Sequence, residues 1–164
     1  IRDRILKTPR DIRVPVLTRE QYAEIRSIRL ALEGLAAETA AGKVTAEQLQ
    51  MLERNIRDNL EAVHCGDLIA ALKLNQAFHF ALADIAGMPL LRDMLDSLWM
   101  RTGPLIARAY GDFSERMAVE HHWEVLRALE KGDGTAARQA ICTDILDGNQ
   151  KMMELIARRE ATLA

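Results

Sequence analysis

The stretch Leu72-Lys-Leu-Asn75-Gln-Ala-Phe-His79-Phe-Ala-Leu-Ala-Asp-Ile-Ala86 sets how the chain is read. Asn75 and His79 stand four residues apart, so in a helix they lie one above the other on a single face. Their neighbours on that face, Leu72, Leu82 and Ala83, are apolar or small. An amide and an imidazole therefore project from the side that should be buried. Burying polar groups costs free energy unless they find partners. Either ordinary hydrogen bonds satisfy the pair, or the pair holds something.

Working outward, Gly66 stops the preceding helix, Asp67 caps this one and Gly87 ends it, while Pro89 suits a helix first turn. Thr18-Arg-Glu-Gln21 and Thr45-Ala-Glu-Gln48 are capping boxes that open two earlier helices. The first carries the stripe Tyr22, Ile25, Ile28, Leu32, Leu35, Thr39, with Arg29 on it, and ends at Gly42. The second runs through Leu49, Leu52, Ile56, Leu60 and Val63. A fourth helix spans Leu90 to about Tyr110, with a kink expected at Gly103-Pro104. Ser114 caps a fifth through Leu129, and Gly132-Asp133 separates it from a sixth that reaches Arg159, weakened at Gly148. No period-two pattern occurs after residue 17. The spacing predicts an all-α antiparallel bundle of about six helices with short loops. Residues 1–17, with five basic side chains, Pro9 and Pro15, read as a linker or the tail of a preceding domain. Residues 18–164 form the helical domain.

At 164 residues the chain is long enough for one well-buried core. Its net charge of −2 argues against nucleic-acid binding by the chain itself. No run of apolar residues is long enough to span a membrane, and no signal-peptide pattern is present. The two cysteines, Cys65 and Cys142, form no CxxC, which points to a reducing cytoplasm.

Three helices direct polar groups inward. Asn75 and His79 are on the third; His122 lies on the stripe Val119, His122, Val125, Leu126, Leu129; Asp144 interrupts Ala137, Ala140, Ile141, Ile145, Gly148, Met152. Imidazole nitrogens and carboxylate oxygens converging inside a bundle suit a divalent metal ion. A buried hydrogen-bond network joining Asp144 to a histidine, with Asn75 as a further partner, stays open beside it. His121 is rotated off the stripe, towards the surface. Glu61-Ala-Val-His64 is a lone ExxH, without the second copy a di-iron bundle needs. Trp99, Trp123 and the methionines read as core or dimer contacts. Arg29 and Arg101 both fall between apolar residues at helical spacing. An inward guanidinium needs an anion, either a buried partner such as Glu33 or Asp96 or the carboxylate of an organic acid.

An ordered series of motifs carries a resemblance. Arg29-Leu-Ala-Leu-Glu33-Gly34, Asn75-xx-Phe78-His79, Ala86-Gly87-x-Pro89-Leu90, Glu120-His-His122-xx-Val125-Leu126-x-Ala128-Leu129 and Gly132-Asp133-xx-Ala136-Ala137 resemble the FadR-type C-terminal (FCD) domain of GntR-superfamily bacterial transcription regulators. The match covers roughly residues 18 to 150, and the helix number is similar to that of the VanR-like subgroup. The resemblance implies a homodimeric effector-binding domain behind an N-terminal winged helix-turn-helix, which alone would contact DNA, with no membrane partner. It also implies a metal site of one Asp and three His. The positions of two histidines match at His79 and His122; Asn75 stands where the family has Asp, and Asp144 where it has the last His. The site keeps one carboxylate and gains oxygen at the expense of nitrogen, leaving zinc, nickel or manganese as candidate ions.

Three functions follow as expectations. The first is a ligand sensor, in which a small organic-acid effector meets the metal on one side and Arg29 or Arg101 on the other. The second is a metal-free regulatory domain for a larger apolar ligand. The third is a metal-dependent helical hydrolase, disfavoured because no general base stands beside the ligands. The chain is read as regulatory and not as an enzyme.

Overall fold

In this computed structural model the described residues are 17–110 and 115–163, with side chains described for all of these except 108–110, 115–118, 162 and 163. They form α1 (Arg19–Ala41), α2 (Ala46–His64), α3 (Leu68–Ala86), α4 (Pro89–Tyr110), α5 (Glu115–Glu130), α6 (Gly134–Asp147) and α7 (Asn149–Leu163). The expected all-α bundle is what forms, and its sixth helix is α6 and α7 together, meeting at Gly148. The linker expected over 1–17 lies outside the described residues except for Leu17, which packs half-buried on the core. Ser114 also lies outside them.

Local chemistry sets the helix ends. Thr18 and Thr45 each accept a hydrogen bond from the backbone N–H of a glutamine three residues on, and that glutamine reaches back to the cap N–H. Asp67 and Asp133 cap α3 and α6 through Ala70 N and Ala136 N. These bonds satisfy amides that a helix start leaves unpaired. Gly87 turns the chain out of α3 at φ 68°, a left-handed conformation that glycine adopts without a Cβ penalty. Helix α4 continues through Pro104.

The packing of α1 departs from the expected stripe. Tyr22 and Ile25 are buried, but Ile28 and Leu35 are exposed, and the inward face continues as Arg29, Glu33, Ala36, Ala37 and Ala40. Small residues let α1 lie close against α6. A Cβ on Gly34 would stand 3.1 Å from the Cys142 sulfur, and one on Gly134 would stand 2.8 Å from the Glu38 carbonyl oxygen. Close approach, not side-chain size, decides which face of α1 is inside. Around this contact Phe78, Leu52, Ile56, Leu82, Leu95, Leu129 and Ile141 are fully buried, each worth about 2 kcal/mol of apolar transfer. The arrangement brings α1, α3, α5 and α6 together where their polar residues meet.

Candidate metal centre and effector cleft

His79 on α3, His122 on α5 and Asp144 on α6 each offer one ligand atom within 4.8 Å of the others. His79 Nε2 lies 3.2 Å from Asp144 Oδ2, and His122 Nε2 lies 3.7 Å from Asp144 Oδ1. Neither contact has hydrogen-bond geometry: His79 Nε2 and both nitrogens of His122 are buried without a hydrogen-bond partner. The carboxylate thus sits between two imidazoles without accepting a proton from either.

Neighbouring side chains fix the two rings. Phe78 stacks on His122 at 4.0 Å between centroids, tilted by 10°. The His79 ring meets that of Trp99 at 5.3 Å. His79 Nδ1 is held by the Glu33 carboxylate from α1. With Nδ1–H directed to a carboxylate, Nε2 is the nitrogen that faces Asp144, and it is the one that would offer a lone pair once the ring loses its second proton. Glu33 also accepts from Arg29 Nε at 2.6 Å, and the Arg29 guanidinium lies over Trp99, 4.5 Å from the ring centroid. Pairing with Glu33 was one of the two readings of Arg29. That Glu33 also orients His79 was not anticipated; the signal was its place four residues after Arg29 on the inward side of α1.

The charges alternate along Arg29, Glu33, His79 and Asp144. Burial opposes the charge on His79, but Glu33 and Asp144 outweigh it and hold its pKa up at about 9. Burial likewise opposes ionisation of Glu33 and Asp144, yet Arg29 and His79 bring Glu33 to about 2, and His122 and His79 bring Asp144 to about 2. His122 goes the other way. Burial lowers it to about 4 against the pull of Asp144, so it is neutral near pH 7.

His79 and Asp144 form part of the wall of a small cleft, of about 50 Å³, that opens to solvent, and His122 lies buried behind them. Asn75, buried on α3, lines it, as do Tyr22 and Arg29 from α1, Trp99 from α4 and Met152 from α7. Among the described residues, Nε is the one nitrogen of the Arg29 guanidinium that is hydrogen-bonded. The Trp99 indole N–H is buried without a partner. Trp99 is therefore a buried wall of the cleft, in line with its core reading and not with its dimer reading; Met94 is exposed as the dimer reading requires.

Arg101 is corrected. It is exposed and lines no part of the cleft. Its flanking Leu98 and Leu105 are only half-buried, whereas the inward stripe of α4 is Leu91, Leu95, Trp99, Thr102 and Ile106. Arg101 lies on the opposite side. His121 is not a free surface group either: Nδ1 meets Glu124 and Nε2 meets Asp147, each at 2.7 Å.

Comparison with known proteins places these features. The FCD domain family matches residues 24–147. The HTH-type transcriptional regulator McbR of Escherichia coli is 28% identical over 131 residues, covering 78% of this chain and 59% of McbR. The HTH-type transcriptional repressor RspR of Escherichia coli is 26% identical over 137 residues, covering 81% and 60%. The solved structure of Escherichia coli McbR/YncC superposes with a TM-score of 0.77 at 25% identity, over 86% of this chain and 72% of that one. Streptococcus agalactiae GntR superposes with a TM-score of 0.62 at 29% identity, over 76% and 56%. This chain spans about three-fifths of the length of these curated relatives. They are regulators, in agreement with a regulatory and not an enzymatic reading. No helix among the described residues is long and apolar enough to cross a membrane. By the match over 24–147 and the ordered motifs that fall within it, the chain belongs to the FCD domain family, the helical domain of FadR-type GntR transcription regulators.

Proposed function

We propose that this chain is the effector-sensing and dimerising domain of a transcription regulator. In this reading His79, His122, Asp144 and Asn75 hold a divalent cation, and Arg29 receives the carboxylate of a small organic acid that also meets the cation. One observation carries it: His79 Nε2 and His122 Nε2 are buried, without partners, on either side of the Asp144 carboxylate. Leaving such groups unpaired costs about 1–3 kcal/mol each. A cation satisfies both at once, displacing the His79 Nε2 proton, while Glu33 keeps the proton on Nδ1 and so sets the tautomer that remains. The ion would supply a Lewis-acidic centre for an anionic ligand. Two nitrogens with one or two oxygens form a mixed donor set, compatible with zinc, nickel or manganese.

Signalling follows from where the ligands sit. Arg29 is on α1 and Asp144 on α6, two helices that approach each other closely at Gly34 and Gly134. A carboxylate that draws Arg29 towards the Asp144 side biases how α1 lies on α6. A winged helix-turn-helix domain attached ahead of α1 would respond, to the extent that the effector binds the two arrangements unequally.

A metal-free effector domain is the second reading, and one feature favours it. With His79 protonated, the series Arg29, Glu33, His79, Asp144 neutralises itself without an ion. Metal content after purification, then calorimetric titration of the stripped chain with zinc, nickel and manganese salts, separates the two. Uptake of one ion per chain supports the first reading; no uptake leaves the second.

A further inference from the structure

The outward side of α4 is apolar as well as its inward side. Leu90, Met94 and Met100 are 76%, 56% and 70% exposed, and Asp93, Ser97, Arg101 and Pro104 are exposed with them. At helical spacing these residues share one stripe. Single exposed apolar residues are ordinary, but several in one stripe mark a contact surface.

The stripe is symmetric in character about Ser97. Asp93 stands four residues before it and Arg101 four after; Met94 three before and Met100 three after; Leu90 seven before and Pro104 seven after. Acid faces base and apolar faces apolar under reversal of the helix. A two-fold contact between identical surfaces requires this kind of self-complementarity. Neither Asp93 nor Arg101 has an ion pair within its own chain among the described residues. The neighbouring charges are engaged: Arg92 lies over Phe80 at 3.4 Å and reaches Asp84 and Asp96.

We propose that α4 packs antiparallel against α4 of a second copy of this chain, with the two-fold axis at Ser97 and Arg101 paired with the partner's Asp93. Helical rise places each charge about 6 Å along the helix from Ser97. The two therefore meet at one level, and the long arginine side chain spans the lateral gap. A parallel arrangement would set like charges against each other. The proposal rests on the dimer reading above and adds to it a face, a register and a role for Arg101. It also ties dimer to cleft, because Trp99 lines the cleft from the opposite side of the same helix.

Sedimentation equilibrium of the 164-residue chain tests this with Arg101→Asp, Asp93→Arg and the double swap, each checked for helix content by circular dichroism. The wild type should be a dimer at micromolar concentration. Each single reversal should weaken it by about tenfold or more, since like charges then oppose, and the double swap should restore it. Ser97→Cys, placed in a Cys65→Ser background because Cys65 is exposed, should form a symmetric disulfide under mild oxidation. A monomeric wild type overturns the dimer reading itself. A dimer indifferent to the single reversals, or not restored by the swap, overturns this interface alone and assigns the stripe to another partner.

Discussion

Glu33 on α1 holds Nδ1 of His79 on α3, across a separation of 46 residues, and both side chains are 1% exposed. The same carboxylate takes Arg29 Nε. One buried anion therefore orients both the imidazole and the guanidinium of the cleft. Glu33→Gln keeps the shape and removes the charge, leaving Arg29 and His79 without their shared counter-ion. Breaking a buried ion pair from one side costs about 3–5 kcal/mol. Urea denaturation of the metal-free chain at pH 7 should show a loss of that order. Metal affinity should fall about 10–100-fold, as when an outer partner of a ligand is removed. An unchanged calorimetric titration would separate Glu33 from the site.

The pH dependence has a definite sign. His79 is raised from its ordinary value of 6.5 to about 9 in the fold. Its contribution to stability is complete below pH 6.5 and is lost as pH rises through 9. Glu33 and Asp144, both depressed to about 2, stay ionised throughout that window, and His122, lowered to about 4, stays neutral. Metal binding runs the opposite way, because the ion must displace the His79 proton. Between pH 6.5 and 9 the metal-free chain should become less stable, while metal affinity climbs by about tenfold per pH unit. Thermal melts with and without metal across that range check both slopes. A flat affinity profile would mean that His79 is not a ligand.

Helix ends were legible in the sequence because capping is local. Thr18 with Gln21, Thr45 with Gln48, Asp67, Gly87 and Asp133 act within a few residues and do so in the structure. His122 was legible as inward because the other members of its stripe, Val119, Val125, Leu126 and Leu129, are all buried with it. The rotation of α1 was not. Periodicity weighs large apolar residues, so Ile28 and Leu35 drew the stripe their way, while burial followed Ala36, Ala37 and Ala40 into close contact with α6. Arg101 was misplaced by the same rule, through the half-buried Leu98 and Leu105. The link from Glu33 to His79 is tertiary and leaves no local signature.

Arg29 should separate effector from metal. Arg29→Lys keeps a cation beside Glu33 but loses the planar fork and its stacking on Trp99. Binding of small mono- and dicarboxylates to the metal-loaded chain should weaken by about tenfold or more, with metal affinity unchanged within about twofold. Arg101→Lys should alter neither, since Arg101 is outside the cleft. Equal losses in both variants would contradict the placement of Arg29.

The 164-residue chain by itself should bind DNA only weakly, because its net charge is −2. Non-specific affinity of about 10⁻⁴–10⁻⁶ M at physiological salt is the upper expectation. A salt-sensitive nanomolar complex in fluorescence anisotropy would assign DNA contact to this domain itself.

The sharpest prediction concerns the donor set. Asp144 is the one carboxylate between His79 and His122, so it is the only formal counter-charge that touches the proposed ion. Asn75 lines the same cleft with a neutral amide. Removing a charge from a metal shell costs more than removing a dipole. Asp144→Ala should therefore lose more metal affinity than Asn75→Ala, with His79→Ala and His122→Ala also losing it. Asn75→Asp should strengthen binding by adding a second carboxylate. In the metal-free chain the same substitution brings like charges together, so its apparent stability should fall until metal is supplied. Titration calorimetry of the stripped variants gives the affinities, and melts with and without metal give the stability crossover. If Asp144→Ala binds as well as wild type, Asp144 is a hydrogen-bonding member of a buried network, and the metal reading of the cleft fails with it.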